Sequence, residues 1–289
     1  MSQSVTHVNV HRVKGMEQVS EPDLLAVEEP LEIRIGYGEG HQRKEKSLSI
    51  TMRTPGNDLE LATGFLIGEG IINSVAEIVS IRHCQNVEKE EEIGNVVRVE
   101  LSQELVIDLQ KLQRHFYTSS SCGVCGKSSI EAVQVSACEA LPRGRPVFDQ
   151  QLIHQLPDKL LEVQNVFEYT GGLHAAGLFD NEGQLLLMRE DVGRHNAVDK
   201  LVGAAADRGL LPLHDYLIQV SGRASFELVQ KALVAGIPIL SAIGAPSSLA
   251  VKLAESSGMT LMGFVRNQRY NIYTGSERIN LASYTGVGA

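Results

Sequence analysis

From Tyr216 to Gly275 short apolar runs follow one another at regular intervals: YLIQVSG, SFELVQKALVAG, PILSAIG, SLAVKLAESSG, TLMGFVR and YNIYTG. Glycines, prolines and serines separate them, and their lengths alternate between those of strands and those of helices up to TLMGFVR and YNIYTG, which both read as strands. Upstream, the helix FDQQLIHQLPDKLLEVQ precedes two strands, LHAAGLFD and QLLLMRE, joined by the turn Asn181-Glu182-Gly183, and then the helix NAVDKLVGAAAD. Strands alternating with helices can bury their apolar faces only in layers. The pattern therefore predicts an α/β domain with helices on both faces of a mixed sheet, over residues 148–289. Such sheets gather ligands at the carboxyl ends of their strands, here SGRAS, IGAPSS and FVRNQR. The uncharged stretch between Lys231 and Lys252 does not read as a membrane span. Gly236, Pro238, Gly244 and Pro246 break it well short of the ~20 continuous apolar residues a spanning helix needs.

The first half reads differently. MSQSVTHVNVHRVKG has no apolar run of signal-peptide length, and residues 1–25 are expected to be a flexible arm. LEIRIGY and SLSITM alternate apolar and polar residues around the loop GEGHQRKEK, a pair of strands. A turn at Thr54-Pro55-Gly56-Asn57-Asp58 leads into DLELATGFLIGEG, where Leu59, Ala62, Phe65 and Leu66 are expected on one helical face and Gly68 and Gly70 stop the helix. With Ile78 to Cys84 and the strand VVRVEL, residues 26–115 make a small α+β domain. Residues 116–147 are a connector, predicted mobile.

That connector contains SSSCGVCGKSS, a single Cys-x-x-Cys formed by Cys122 and Cys125. Four cysteines in 289 residues are too few and too irregularly spaced for a disulfide scaffold, which favours a reducing, cytoplasmic setting. Three chemistries compete for the pair: half of a zinc site, a dithiol redox couple, or a carrier of activated sulfur. Zinc requires four ligands, and no second Cys-x-x-Cys or His-x-x-x-His follows. A thioredoxin-like couple requires the motif where a first strand runs into a helix, whereas here it follows a whole domain. Ser128 and Glu131 have capping-box spacing, so a helix beginning there, with Lys127, would favour thiolate. Gly123 and Gly126 suit a thiolate that meets two partners in turn. Cys84 and Cys138 read as small core residues.

REDVGRHNAVDK places Asp191, Arg194 and His195 around a glycine at a strand-to-helix junction, with Asn196 or His195 as the helix cap. It reads either as a salt-bridged surface turn or as the lining of a site, and the guanidinium and imidazole beside Gly193 favour the site. His174 begins an apolar strand, where a hydrogen-bonded core role competes with a ligand role. A Cys-x-x-Cys with a separate His raises zinc deamination, but Ala176 stands where the general acid/base Glu would be and no Pro precedes Cys122. Ser221 and Arg223 in SGRAS, and Gly244 to Ser248, offer backbone N–H groups to a phosphate, with capped tight turns as the alternative. Phe264, Val265, Arg266, Asn267, Gln268 and Arg269 add two guanidiniums able to grip a diphosphate, where a solvated hairpin would look the same. A net charge of −9 with no Trp argues against nucleic-acid binding.

Taken together, SCGVCG, EDVGRHNAVDK, SGRASFELVQKA and TLMGFVRNQRYNIYTGSERI, in this order, resemble the FdhD family, the accessory sulfurtransferases of formate dehydrogenase. The resemblance begins near Glu32 and includes ATGFLIGEGII. It implies a cytidine-deaminase-like fold without deaminase chemistry in the C-terminal domain. It also implies a carrier that takes sulfane sulfur from a cysteine desulfurase as a persulfide on Cys122, with Cys125 as its partner thiol. The acceptor would be the molybdenum cofactor, bis(molybdopterin guanine dinucleotide), and the client the catalytic subunit of formate dehydrogenase. Cofactor contacts map onto Phe264 to Arg269, with GDP as a partial ligand. FVRNQR keeps the Phe and the final Arg but departs from the Lys-Pro-Gly middle of some members. No structural metal is expected, and the chain is expected to be a homodimer. A thiol-disulfide oxidoreductase and a zinc-bound cofactor-insertion chaperone are the alternatives.

Overall fold

The computed structural model describes residues 4–85, 92–105, 107 and 141–281. Among them the chain forms β1 (Val5–Lys14), β2 (Glu17–Ala26), β3 (Glu29–Tyr37), β4 (Lys44–Arg53), α1 (Asp58–Gly68), β5 (Ile78–His83) and β6 (Val96–Leu101). There follow β7 (Phe148–Asp149), α2 (Gln150–Leu161), α3 (Asn165–Thr170), β8 (His174–Phe179), β9 (Leu185–Asp191) and α4 (Arg194–Asp207). The chain continues with β10 (Leu217–Val220), α5 (Phe226–Val234), β11 (Ile239–Ala242), α6 (Ser248–Ser256), β12 (Thr260–Arg266), β13 (Arg269–Thr274) and β14 (Ile279–Asn280). Two compact units interleave along the chain: the described residues of 1–136, 164–175 and 189–209, and those of 137–163, 176–188 and 210–289.

In the first unit β3, β4, β5 and β6 form one sheet in the order β4-β3-β6-β5, with β3 and β6 parallel and the outer strands antiparallel to them. Leu31, Ile33 and Ile35 of β3 alternate inward and are fully buried, as the period of two requires. β4 begins at Lys44, earlier than the alternation of SLSITM suggests, because Lys44 to Lys46 pair with Tyr37 to Ile35. Residues 1–25 are expected as a flexible arm, whereas Val5–Lys14 and Glu17–Ala26 form the antiparallel hairpin β1-β2. The alternating VTHVNVHRV supplies a strand, and Gly15, at φ 64°, opens a two-residue turn with Met16.

Helix α1 is buried nearly all round rather than on one face, and Leu59 and Phe65 of the expected face are only half-buried. The cause is that α1 packs both on β5 and β6 and against α4. The two helices meet through glycine. A Cβ at Gly64 would fall on the Asp199 carbonyl, and one at Gly203 on the Glu60 carbonyl. Arg53, fully buried, holds the entrance to α1 with a two-pronged bond to Asp58, each N–O distance 3.0 Å.

The second unit contains the expected mixed sheet. Its strand order is β13-β12-β11-β10-β8-β9, with β10, β11 and β12 parallel and β8 and β13 antiparallel to their neighbours. Helix α5 connects β10 to β11 and α6 connects β11 to β12, so the crossovers follow the alternation read from the sequence. Arg278, fully buried, donates to the carbonyls of Gly258 (2.8 Å) and Arg145 (2.9 Å) and so ties the start of β14 to the segments that lead into β12 and β7. Among the described residues no helix is long and apolar enough to cross a membrane.

Gly64→Ala or Gly203→Ala should force α1 and α4 apart, destabilising the protein by about 3 kcal/mol or more. A lowered denaturant midpoint with an unchanged slope checks it.

Candidate functional site

Cys122 and Cys125 lie outside the described residues, as does Cys138. Cys84, the free cysteine among the described residues, is half-buried just after β5. Burial pushes its thiol up from the ordinary value, with Arg34 pulling the other way. A raised pKa keeps the group as thiol, the unreactive form.

The other sequence-predicted residues fall in two places. In the first unit, the string REDVGRHNAVDK builds a buried polar anchor instead of a surface turn. Asp191 has no exposure, and each of its carboxylate oxygens accepts twice. Oδ2 takes Lys200 Nζ at 2.7 Å and the Thr54 amide at 3.2 Å, while Oδ1 takes the Gly193 amide at 2.8 Å and Asn196 Nδ2 at 3.0 Å. Lys200 donates also to the Thr54 carbonyl at 2.8 Å, and Asn196 to the Met52 carbonyl at 2.8 Å. The end of β4 is thereby tied to the start of α4. Helix α4 starts at Arg194 with Gly193 as its cap, so neither Asn196 nor His195 fills that position. Arg194 and His195, in the first turn, are half-buried. His174 opens β8 in reach of the same charges. Desolvation first, and the Arg194 guanidinium second, hold its imidazole below the usual histidine range, with Asp191 opposing. It is therefore neutral at pH 7.

In the second unit the ends of the three parallel strands come together. The Gly244 amide donates to the Gly222 carbonyl at 3.0 Å, and the Phe264 amide to the Gly244 carbonyl at 3.2 Å. Contact this close needs glycine. A Cβ at Gly244 would sit 2.8 Å from Arg223 Cγ, and one at Gly263 would sit 2.8 Å from Pro246 Cδ. Ser225 and Ser247 accept from Leu228 N and Ala250 N, so they cap α5 and α6 as their positions at the strand ends suggest. Ser221 is half-buried and Arg223 exposed beside them.

Phe264 follows at a break in the β12-β13 register and has φ 55°, a left-handed conformation that costs a bulky residue about 1–3 kcal/mol. Val265 is fully buried. Asn267 and Gln268, at φ 53° and 56°, form a two-residue turn with both central residues left-handed, the type I′ geometry that matches strand twist. The turn sets Arg266 directly opposite Arg269, and both are exposed. Like charges placed so are unfavourable unless an anion lies between them. Beyond them, the ring of Tyr270 lies 5.1 Å from that of His154 at 56°, and burial raises its hydroxyl pKa, with Asp149 adding to the shift. Sequence reasoning found the strand ends, with Gly244 as an anion seat and Thr54 as a turn residue, but not that Gly244, Gly263 and Thr54 shape the two clusters. Their signal is tertiary close approach, which leaves no period in the sequence. Among the described residues no group of three or more His, Cys, Asp or Glu side chains is placed to hold a metal ion.

The FdhD/NarQ family model matches residues 26–280. The chain is 48% identical over 281 residues to a sulfur carrier protein FdhD of Streptomyces avermitilis, covering 96% of this chain and 97% of that one. It is 45% identical over 285 residues to the protein of the same description in Mycobacterium tuberculosis, covering 96% and 100%. The corresponding figures for the Saccharolobus solfataricus protein are 42% over 279 residues, 96% and 100%. In architecture it is similar to the crystal structure of a candidate formate dehydrogenase accessory protein from Desulfotalea psychrophila, with a TM-score of 0.72 at 23% identity, covering 96% of this chain and 100% of that one.

Lys200→Met leaves the Asp191 carboxylate buried without its cation and should cost about 3–5 kcal/mol of stability, read as a drop in the denaturant midpoint. His174 gives a pH signature. Its folded pKa lies below the ordinary 6.5, so its neutral pocket contributes fully above about pH 6.5. Below that the unfolded chain binds the proton first, and stability falls until the lowered folded value is passed. His174→Gln should flatten this acid limb in a stability-versus-pH series.

Proposed function

The chain belongs to the FdhD/NarQ family, and on that premise we propose that it is a sulfur carrier serving formate dehydrogenase. Cys122 accepts sulfane sulfur from a cysteine desulfurase as a persulfide and passes it to the molybdenum cofactor, bis(molybdopterin guanine dinucleotide), which is the substrate rather than a resident group. Both transfers are nucleophilic exchanges at sulfur. The Cys122 thiolate attacks the outer sulfur of the donor's persulfide and expels the donor thiolate; in the second step the cofactor, as acceptor, supplies the electron pair for the new bond to that sulfur, and the Cys122 S–S bond breaks with its pair left on Cys122 as thiolate. Cys125 is the partner thiol. The reading includes a deaminase-like topology for the mixed sheet, whose parallel strands end at the close contacts described above.

The observation that supports the cofactor-binding half is the facing of Arg266 and Arg269 across the β12-β13 turn. Two guanidiniums opposed on one face present paired donors to a diphosphate, and the anion removes their mutual repulsion. The amides at the starts of α5 and α6, beside Ser221 and Arg223, favour the same charge. Holding the nucleotide end of the cofactor makes sulfur transfer at its other end an effectively intramolecular event. The left-handed Phe264 fixes where that turn begins.

Arg266→Ala with Arg269→Ala should weaken GDP binding at least tenfold in calorimetry while leaving the melting temperature within a few degrees. In cells lacking the native protein, Cys122→Ala should abolish formate dehydrogenase activation and Cys84→Ala should preserve it. Activation that survives Cys122→Ala would favour a chaperone whose cysteines carry no sulfur. Stoichiometric zinc in protein purified without chelator would point the same way.

A further inference from the structure

Strand β13 forms one edge of the mixed sheet, and its two faces differ. The Tyr270 ring lies 5.1 Å from that of His154 in α2, so this residue faces α2. Side chains alternate along a strand, and Arg269, Asn271 and Tyr273 are exposed whereas Tyr270, Ile272 and Thr274 are half-buried. The exposed three therefore share the face turned away from α2. Gly263 of β12 stands opposite Asn271, and a Cβ on it would sit 3.1 Å from Tyr273 Cε2 and 2.8 Å from Pro246 Cδ. The Tyr273 ring and Pro246 thus meet over Gly263. Pro246 leads into α6, whose N-cap is Ser247, so this is the face on which α6 begins. Arg266, directly opposite Arg269, lies on it too.

The face therefore carries a row: two guanidiniums at the turn, then Asn271, then an aromatic ring. Tyr273 remains 37% exposed although part of its ring is seated against glycine and proline. Four residues of strand separate Arg269 from Tyr273, about 13 Å, a span that an extended nucleoside diphosphate bridges from its phosphates to its base. Along that span β12 contributes Gly263, which has no side chain to stand in the way. An open aromatic face binds a nucleobase by stacking, and a purine offers it more area than a pyrimidine.

We propose that Tyr273 is the platform on which the purine base of the bound nucleotide stacks while Arg266 and Arg269 hold its diphosphate. Phosphate contacts are alike for every nucleotide, so the ring supplies the preference for a large base and Tyr273 is a specificity residue. This rests on the nucleotide-holding part of the proposed function. It adds the side of the sheet on which the base lies, that of α6 and not that of α2.

Calorimetry on the full chain with GDP, UDP and inorganic pyrophosphate separates the two claims. Wild-type protein should prefer GDP to UDP. Tyr273→Leu should lose that preference and bind GDP about five- to a hundredfold more weakly, the range of a lost base–aromatic stack, with pyrophosphate binding unchanged. Tyr273→Phe should keep the wild-type affinity, and Arg266→Ala with Arg269→Ala should weaken GDP and pyrophosphate alike. Because the chain has no tryptophan, Tyr273→Trp installs a single reporter whose emission GDP should quench and pyrophosphate should not. An aromatic ring over a glycine also steadies a strand pair. A lowered melting temperature with unchanged GDP affinity in Tyr273→Leu, or an emission indifferent to GDP in Tyr273→Trp, would overturn the proposal and leave the diphosphate grip standing. Wild-type protein that binds neither GDP nor pyrophosphate would overturn the nucleotide site itself, and this inference with it.

Discussion

The first unit depends on how closely α1 and α4 approach each other. Gly64 and Gly203 let each helix backbone press on the other, and a methyl group at either position would occupy a carbonyl oxygen. Such an approach fixes the helices only if the start of α4 is fixed too. The Asp191 carboxylate does this, gathering Lys200, Asn196 and the amides of Thr54 and Gly193 around a fully buried group. A buried ion pair is weak evidence for stability gained, because desolvation offsets most of its attraction. Its value here is geometric. Its partners come from the end of β4 and from α4, so their relative position has one solution.

The second unit solves a different problem with the same residue. Gly244 and Gly263 allow the loops after β10 and β11 and the last turn of strand β12 to touch, and Phe264 takes up a left-handed conformation where they meet. Strain of this kind is stored where a side chain or a turn must point in one direction. Its neighbour in the chain is the Arg266–Arg269 turn, whose opposed charges are unfavourable until an anion arrives. On the proposed reading, it is a diphosphate that these two guanidiniums take.

Much of this was legible in the sequence. The alternation of Tyr216 to Gly275 gave the parallel strands and their crossovers because each element buries one apolar face with its own period. Helix α1 was placed correctly but its burial was not, since a helix packed on two sides has no amphipathic stripe to read. The hairpin β1-β2 was missed because strands that bury little carry little apolar contrast, even though VTHVNVHRV alternates. The string around Asp191 was singled out, yet its role as an anchor rests on Thr54 and Met52, far away in sequence. At the candidate site the arginines were visible as residue types. That they face each other depends on the turn at Asn267 and Gln268, which lacks the Asn-Gly pair that usually announces it.

The account stands on Cys122 carrying sulfur. Purified protein incubated with a cysteine desulfurase and cysteine, then examined by intact-mass and peptide mass spectrometry without reductant, tests this most directly. The account expects one added sulfur atom on the peptide containing Cys122, removed by reductant and absent from Cys122→Ala. Protein that stays unmodified, or that gains only a Cys122–Cys125 disulfide, would contradict it and favour thiol-disulfide exchange.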